Sequence, residues 1–223
     1  MIVAIDGPAG SGKSTVARAL ARRLGFTYLD SGALYRAVTL LALDREANLD
    51  DGRELGRITR DASIELHERD HDYVQVVVDG RDVSEEIRSP PVTGATSKVA
   101  VHAQVRDAML GKQRELIANG DYVVEGRDIG TVVAPGADVK LFLTADAGER
   151  ARRRAAELER RGHSASAEEV GAAIEERDRR DSTRAAAPMR PAEDAILLDT
   201  TGLDVDEVVE QAVALVRRAG TGA

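Results

Sequence analysis

Apolar residues recur along the chain in two rhythms. Ile2, Val3, Ala4 and Ile5 form an unbroken run, and Val16, Ala17, Leu20 and Leu24 follow at helical spacing before Gly25. The run predicts a buried strand, the spacing an amphipathic helix, and the glycine a helix stop. The chain therefore opens as strand, glycine loop, helix. Thr27 to Leu29, Tyr122 to Val124, Val139 to Leu143 and Ile196 to Leu198 are further short strand candidates, each set among helical patterns. Helices are predicted over about His102 to Ala118, closed by Asn119 and Gly120, and over Ala147 to Arg161. Another starts at Ser166, whose hydroxyl can cap while Glu169 reaches back, and a last one, about Val205 to Arg218, is opened by Asp204 with Glu207. Strands alternating with helices predict an α/β fold with a parallel sheet of about five strands.

Residues 63 to 83, SIELHERDHDYVQVVVDGRDV, break that rhythm. Two β-rich runs are separated by polar residues, and Asp79 with Gly80 is a hairpin-turn signal, so a small antiparallel insert is expected. No repeat or low-complexity linker divides the chain, and the closing GTGA is expected to fray.

Composition narrows the function classes. The 223 residues are 43% hydrophobic, with no Trp and two Phe, so the core is expected to be Val, Leu, Ile and Ala. A net charge of −8 opposes a general binder of nucleic acid or anionic membranes, which needs a positive field. Cysteine is absent, which removes disulfides and thiolate metal sites. No basic leader opens the chain and no apolar run approaches the roughly 20 residues of a membrane span, so a soluble cytoplasmic protein, monomeric by default, is expected. Only Lys13, Lys98, Lys112 and Lys140 are lysines among the 31 basic residues. One of those four sits in the glycine loop.

That loop reads DGPAGSGKST over residues 6 to 15. Gly7, Gly12, Lys13 and Ser14 fit G-x-x-x-x-G-K-[ST], placed after a strand and opening a helix. Glycines let the loop that runs from Gly7 through Pro8, Ala9, Gly10 and Ser11 to Thr15 curl so that its backbone N–H groups, which Pro8 lacks, face phosphate oxygens, and the helix N-terminus adds its positive end. Lys13 supplies a mobile ammonium and Ser14 a hydroxyl for Mg²⁺. The alternative is a glycine-rich turn without ligand. The motif predicts a nucleoside triphosphate and is silent about the acceptor.

Candidate acceptor residues follow the other strands. LDSGALYR, residues 29 to 36, sets Ser31, Tyr35 and Arg36 at the start of a helix; the alternative is ordinary helix surface. EGRDIGTVVAP places Arg127 and Asp128 after a strand, with Glu125 either near the hydration shell of Mg²⁺ or capping the turn structurally. In ERDRRDSTR, residues 176 to 184, Arg177, Asp181 and Arg184 share one helical face. Arg150 and Arg154 form a similar pair, and both arginine runs can equally be solvated, salt-bridged surface. Converging arginines are nevertheless what a two-phosphate crevice requires, because phosphoryl transfer is catalysed mainly by positioning and positive charge.

Together these segments resemble bacterial cytidylate kinases over nearly the whole chain, from IDGPAGSGKST through LDSGALYR, SKVAVHAQVRDAM, EGRDIGTVVAP and ERDRRDSTRAAAP to LDTTGL. The resemblance implies one kinase domain over 1–223, with a CMP-binding insert at about 37–100 and a helical lid at about 151–175. It implies transfer of the γ-phosphoryl group of ATP to CMP and dCMP with Mg²⁺. Arg36, Arg127 and Arg184 would grip the acceptor phosphate, Ser97, Arg106 and Asp128 would read the cytosine edge, and Arg177 and Asp181 would meet the sugar. Related kinases imply Arg150 near adenine and Arg154 swinging onto the transferring phosphates. Cytosine offers an amino donor beside N3 and O2 acceptors, which a carboxylate and a cationic donor match, whereas uracil reverses two of those positions.

The rivals are a kinase of UMP, AMP or shikimate, a nucleotide-dependent switch, and an RNA-binding arginine face. A guanine switch would need N-K-x-D, and no Asn-Lys pair occurs; DTTG at 199–202 follows the last strand and is expected to border adenine.

Overall fold

A computed structural model describes residues 1–70, 73–160, 162 and 166–220. The chain divides into two compact units, one of Met1–Thr27 with Asp121–Ala223 and one of Tyr28–Gly120. The chain passes from the first to the second within the strand Thr27–Asp30.

The first unit begins with β1 (Ile2–Asp6) and α1 (Lys13–Leu24), and after β2 (Thr27–Asp30) and the second unit it resumes at Asp121. The second unit carries α2 (Ser31–Asp44), α3 (Gly52–Asp61), β3 (Ile64–Asp70), β4 (Tyr73–Val78), β5 (Arg81–Asp82), a 3-10 turn (Glu86–Arg88), α4 (Pro90–Val99) and α5 (Ala103–Leu116). The first unit then completes itself with β6 (Tyr122–Glu125), a π-helical turn (Ile129–Val133), β7 (Val139–Thr144), α6 (Ala147–Arg160), α7 (Ala167–Thr183), β8 (Ile196–Asp199) and α8 (Val205–Gly220).

The five-stranded sheet runs β2-β6-β1-β7-β8, with β1 paired in parallel to β6 and β7, and β7 to β8. Its centre is fully buried at Val3, Ala4, Ile5, Val123, Val124 and Leu143. Unbroken apolar strands of this kind arise where helices cover both faces of a sheet. Helices α1 and α8 supply Leu20, Val209, Ala212 and Val213 to that core. Each fully buried Leu, Ile or Val side chain contributes about 1.5–3 kcal/mol relative to exposure. The edge strand β8 is more open, with Leu197 63% exposed.

Every one of these strands runs one residue past its apolar stretch. The added residues are Asp6, Asp30, Glu125, Thr144 and Asp199, all polar. The C-terminal ends of the strands are therefore lined by side chains that carry chemistry, the ligand side of an open α/β sheet.

In the second unit the three-stranded sheet β3-β4-β5 is antiparallel. Asp79 (φ 50°) and Gly80 (φ 82°) form the two-residue turn between Val78 and Arg81, the left-handed pair that a tight hairpin needs. Leu34, Val38, Leu55, Ile58, Val99, Val105 and Met109 form one apolar cluster, and Ala33, Ala37, Val76, Val78, Val83 and Ile87 another.

Helix α5 ends at Leu116 with Ile117 as its cap, short of the expected stop at Asn119 and Gly120, whereas three other caps act as the residues predict. Gly25 adopts φ 70° at the end of α1, Ser166 and Glu169 form a reciprocal capping box on α7, and Asp204 and Glu207 exchange backbone bonds of 2.9 and 2.8 Å at α8. The expected end of α6 at Arg161, part of the expected lid (161 and 163–165), the polar residues 71 and 72 of the insert, and the tail beyond Gly220 lie outside the described residues.

Candidate active site

The phosphate loop joins β1 to α1 in the first unit, and its glycines are there for backbone reasons. Gly7 has φ 145° and packs so tightly that a Cβ would stand 2.0 Å from the carbonyl oxygen of Leu143. Gly12, with φ 87°, leads directly into Lys13, the first residue of α1. Lys13 is buried, and its Nζ donates to the Pro8 carbonyl at 2.6 Å, with Ser11 Oγ at 3.5 Å. Burial first, and the nearby Arg127 guanidinium second, hold its ammonium well below the usual lysine value. A cation under that strain gains most from an arriving polyanion.

Ser14 Oγ donates to Glu125 Oε2 at 2.9 Å. A hydroxyl and a carboxylate side by side are hard oxygen donors, the set that suits Mg²⁺ held chiefly by substrate phosphates.

The arginines behind the loop converge. Arg127 Nη1 donates to the Gly7 carbonyl at 2.7 Å and its Nε to Asp181 Oδ2 at 3.1 Å. Arg184 Nη1 lies 3.5 Å from Asp181 Oδ1, its Nη2 lies 3.4 Å from Asp128 Oδ1, and Arg177 Nε lies 3.8 Å from Asp181 Oδ2. Asp181 and Arg184 are 4% and 6% exposed, so this part of the arginine run is not solvated surface. Burial raises the Asp181 carboxyl, but Arg127, Arg177 and Arg184 outweigh it and hold it below 3.8. Three guanidiniums around two carboxylates leave a positive surplus, which is what an anionic substrate seeks.

Arg150 and Arg154, both on α6, diverge. Arg150 Nη1 donates to the Ala9 carbonyl at 3.0 Å and pairs with Asp178, whose Oδ1 accepts the Ala9 N–H at 2.9 Å. Arg154 instead faces Glu157 at 2.6 Å.

In the second unit Asp30 caps α2, accepting the Ala33 N–H at 3.0 Å, while its other oxygen takes Arg36 Nη2 at 2.5 Å. Burial raises this carboxyl, and Arg36 with Arg88 outweighs it, so the net shift is downward. Ser31 is buried at the start of α2 and Ser97 on α4. Tyr35 is buried too, with the Arg106 guanidinium 5.3 Å from its ring centroid, and Arg106 Nη1 donates to the Ala100 carbonyl at 3.3 Å. A guanidinium stacked on a tyrosine is a fixed donor fork rather than a mobile charge.

A family model described as cytidylate kinase matches residues 3–218. The cytidylate kinase of Carboxydothermus hydrogenoformans is 49% identical over 218 residues, 98% of each chain. The chain belongs to the cytidylate kinase family. A bifunctional pantoate ligase/cytidylate kinase from a Synechococcus strain is 52% identical over 217 residues, covering 97% of this chain; the chain spans 45% of that relative's length. A solved structure of an uncharacterized protein from Eubacterium ventriosum, 12% identical and covering 96% of each chain, shares the fold with a TM-score of 0.53.

For this cytidylate kinase family member, four site residues were not legible from motifs. Asp178 and Arg88 sit within charged runs that do not announce which member turns inward. Arg153 is a third: its Nη1 donates to Thr200 Oγ1 at 2.9 Å and stands 3.6 Å from where a Gly12 Cβ would be. The fourth is Asp6, whose two oxygens accept the Ile129 and Gly130 N–H groups. Arg153 had a signal, since it lies one helical turn beyond Arg150; the others depend on partners far away in sequence.

Proposed function

We propose that the protein transfers the γ-phosphoryl group of ATP to CMP and dCMP. The observation that carries this reading is the arginine group around Asp181, in the same unit as a complete phosphate loop, in a chain of the cytidylate kinase family. ATP lies on the loop from Gly7 to Thr15 with Arg150 beside adenine. Ser14, with Glu125 next to it, would hold Mg²⁺, which neutralises phosphate charge and orients the γ-phosphate.

An anionic oxygen of the CMP phosphate attacks the γ-phosphorus. The bond to the bridging oxygen breaks, and that oxygen leaves on ADP. No proton moves in this step, so no general base is required. Lys13, Arg127, Arg154 and Arg184 stabilise the charge that spreads over the transferring group. Arg36, Arg127 and Arg184 grip the acceptor phosphate, with Ser31 and Tyr35 shaping its surroundings. Arg177 and Asp181 meet the sugar, while Ser97, Arg106 and Asp128 read cytosine. Closure of the segment at about 151–175 keeps water from the γ-phosphate. The enzyme works in the cytoplasm as a monomer.

Rates with ATP, Mg²⁺ and a panel of CMP, dCMP, UMP, AMP and shikimate test the reading. CMP and dCMP are expected to lead UMP by at least about tenfold in kcat/KM, because a reversed donor pattern leaves buried groups unpaired. A panel led by another acceptor would overturn it.

A further inference from the structure

Asp128 is held from both sides along the backbone. Its carbonyl oxygen accepts the N–H groups of Val132 and Val133 at 2.9 and 3.2 Å, which closes the π-helical turn. The two N–H groups that follow it, those of Ile129 and Gly130, both donate to Asp6, each at 2.8 Å and each to a different oxygen. Asp6 is 4% exposed and is the last residue of β1, directly before Gly7. The turn is also packed close: a Cβ on Gly130 would stand 3.3 Å from the Lys140 side chain and 3.5 Å from Asp6 Oδ2. Two parallel N–H donors require two acceptors in one plane, which a carboxylate provides and a carboxamide does not.

We propose that Asp6 is a positioning residue for acceptor specificity: its carboxylate pins the backbone after Asp128 and so fixes the direction in which Asp128 presents its side chain to the base. This rests on the reading of Asp128 as a cytosine reader. Asp6 does not touch substrate in this account; it acts through the turn. Because β1 ends in Asp6 and continues into the phosphate loop, one strand end sets the register of the donor loop and of the acceptor-reading turn together.

Asp6→Asn tests it. One oxygen of the carboxamide accepts one N–H, while its NH₂ opposes the other, so the turn loses a bond and meets a donor against a donor. KM for CMP is expected to rise about tenfold and the preference for CMP over UMP to fall about fivefold, while binding of inorganic tripolyphosphate, which reports the phosphate loop alone, changes less than about threefold. Gly130→Ala sets a Cβ 3.3 Å from the Lys140 side chain and so crowds the same turn without altering a charge, and it serves if Asp6→Asn does not fold; the CMP over UMP preference is expected to fall about threefold. Asp6→Glu, which keeps both oxygens, is expected to recover part of the preference that Asp6→Asn loses.

Asp128→Asn is measured alongside. If it collapses the preference while Asp6→Asn and Gly130→Ala leave it intact, the positioning role is wrong and the reading of Asp128 stands. Tripolyphosphate binding that weakens as much as CMP binding in Asp6→Asn would also overturn the role, because Asp6 would then merely hold the strand end. If Asp128→Asn leaves the preference unchanged, the base reading falls and the role of Asp6 with it.

Discussion

Replacing Asp178 with alanine breaks a clasp on the phosphate loop. The carboxylate pairs with Arg150, both side chains being 14% exposed, and its other oxygen accepts the Ala9 N–H at 2.9 Å. Breaking a buried ion pair by removing one partner costs about 3–5 kcal/mol. The cost here is lower, because Arg150 keeps the Ala9 and Ala145 carbonyls at 3.0 and 3.2 Å and water reaches both groups. Adding the lost loop bond gives a destabilisation of about 3 kcal/mol. For a chain of this size that corresponds to a drop in Tm of about 6–12 °C. Urea unfolding and calorimetry of the free protein measure it, and the same experiments with a non-hydrolysable ATP analogue and Mg²⁺ measure the second half of the argument. The deficit is expected to narrow with nucleotide, because phosphate oxygens can then take the Ala9 N–H. Asp178→Asn keeps an acceptor without the charge and is expected to fall between. A deficit below about 0.5 kcal/mol would refute the reasoning, since it would make the pair equivalent to a surface ion pair. A deficit that nucleotide leaves unchanged would refute the link to the loop.

Glu125→Gln removes the carboxylate next to Ser14 Oγ; the Mg²⁺ concentration giving half-maximal rate is expected to rise about tenfold with little change in ATP KM, read from metal titrations of the kinase assay. Gly7→Ala sets a Cβ 2.0 Å from a main-chain oxygen and is expected to cost at least about 3 kcal/mol in urea unfolding, whereas Gly25→Ala, with open space around its φ of 70°, costs about 1 kcal/mol. Burial, with Asp128 adding and Lys13 and two backbone N–H groups opposing, pushes the Asp6 carboxyl up from 3.8 to about 6. The folded chain therefore holds that proton more tightly than the unfolded chain. Its contribution is fully present below pH 3.8, declines by about 3 kcal/mol as the pH rises to about 6, and is flat above. Unfolding free energies of the wild type and Asp6→Asn are expected to diverge by that amount across the window, and parallel curves would contradict it. Asp30 and Asp181, held below 3.8, lose their contributions only as the pH falls further, outside this window.

The phosphate loop, the five strands and the hairpin turn were legible because each rests on local rules: apolar runs, left-handed glycines and caps. Each strand was read one residue short because apolar patterning stops where Asp6, Asp30, Glu125, Thr144 and Asp199 begin, and those residues belong to the site rather than the core. Helix α4 gave no signal, since PPVTGATSKV is poor in helix formers; burial of Val92, Ala95 and Val99 and a proline start sustain it instead, while the Thr96 hydroxyl turns back to the Val92 carbonyl at 2.7 Å. Helix α3 was missed although Asp51 caps it through the Arg53 and Glu54 N–H groups. Among the site residues, the motif carried Lys13 and Ser14 outright. Asp178 and Asp6 could not be read, because their meaning lies in the backbone of Ala9 and of Ile129 and Gly130, partners that only the fold supplies.

The scarcity of lysine gives this chain a chemical address. Lys98 is exposed, Lys112 Nζ donates to the Ala62 carbonyl at 2.9 Å, and Lys140 is spoken for by Asp194 at 2.7 Å. Lys13 differs from all three: it is buried in the phosphate loop, where burial and the Arg127 guanidinium hold its ammonium well below the usual lysine value. An acylating reagent small enough to enter the loop thus meets four lysine amines besides the α-amine of Met1, and of the four lysines Lys13 alone belongs to the loop. Mass spectrometry of the peptide containing Lys13 then counts loop occupancy directly, with Lys98 as the internal reference for reagent dose.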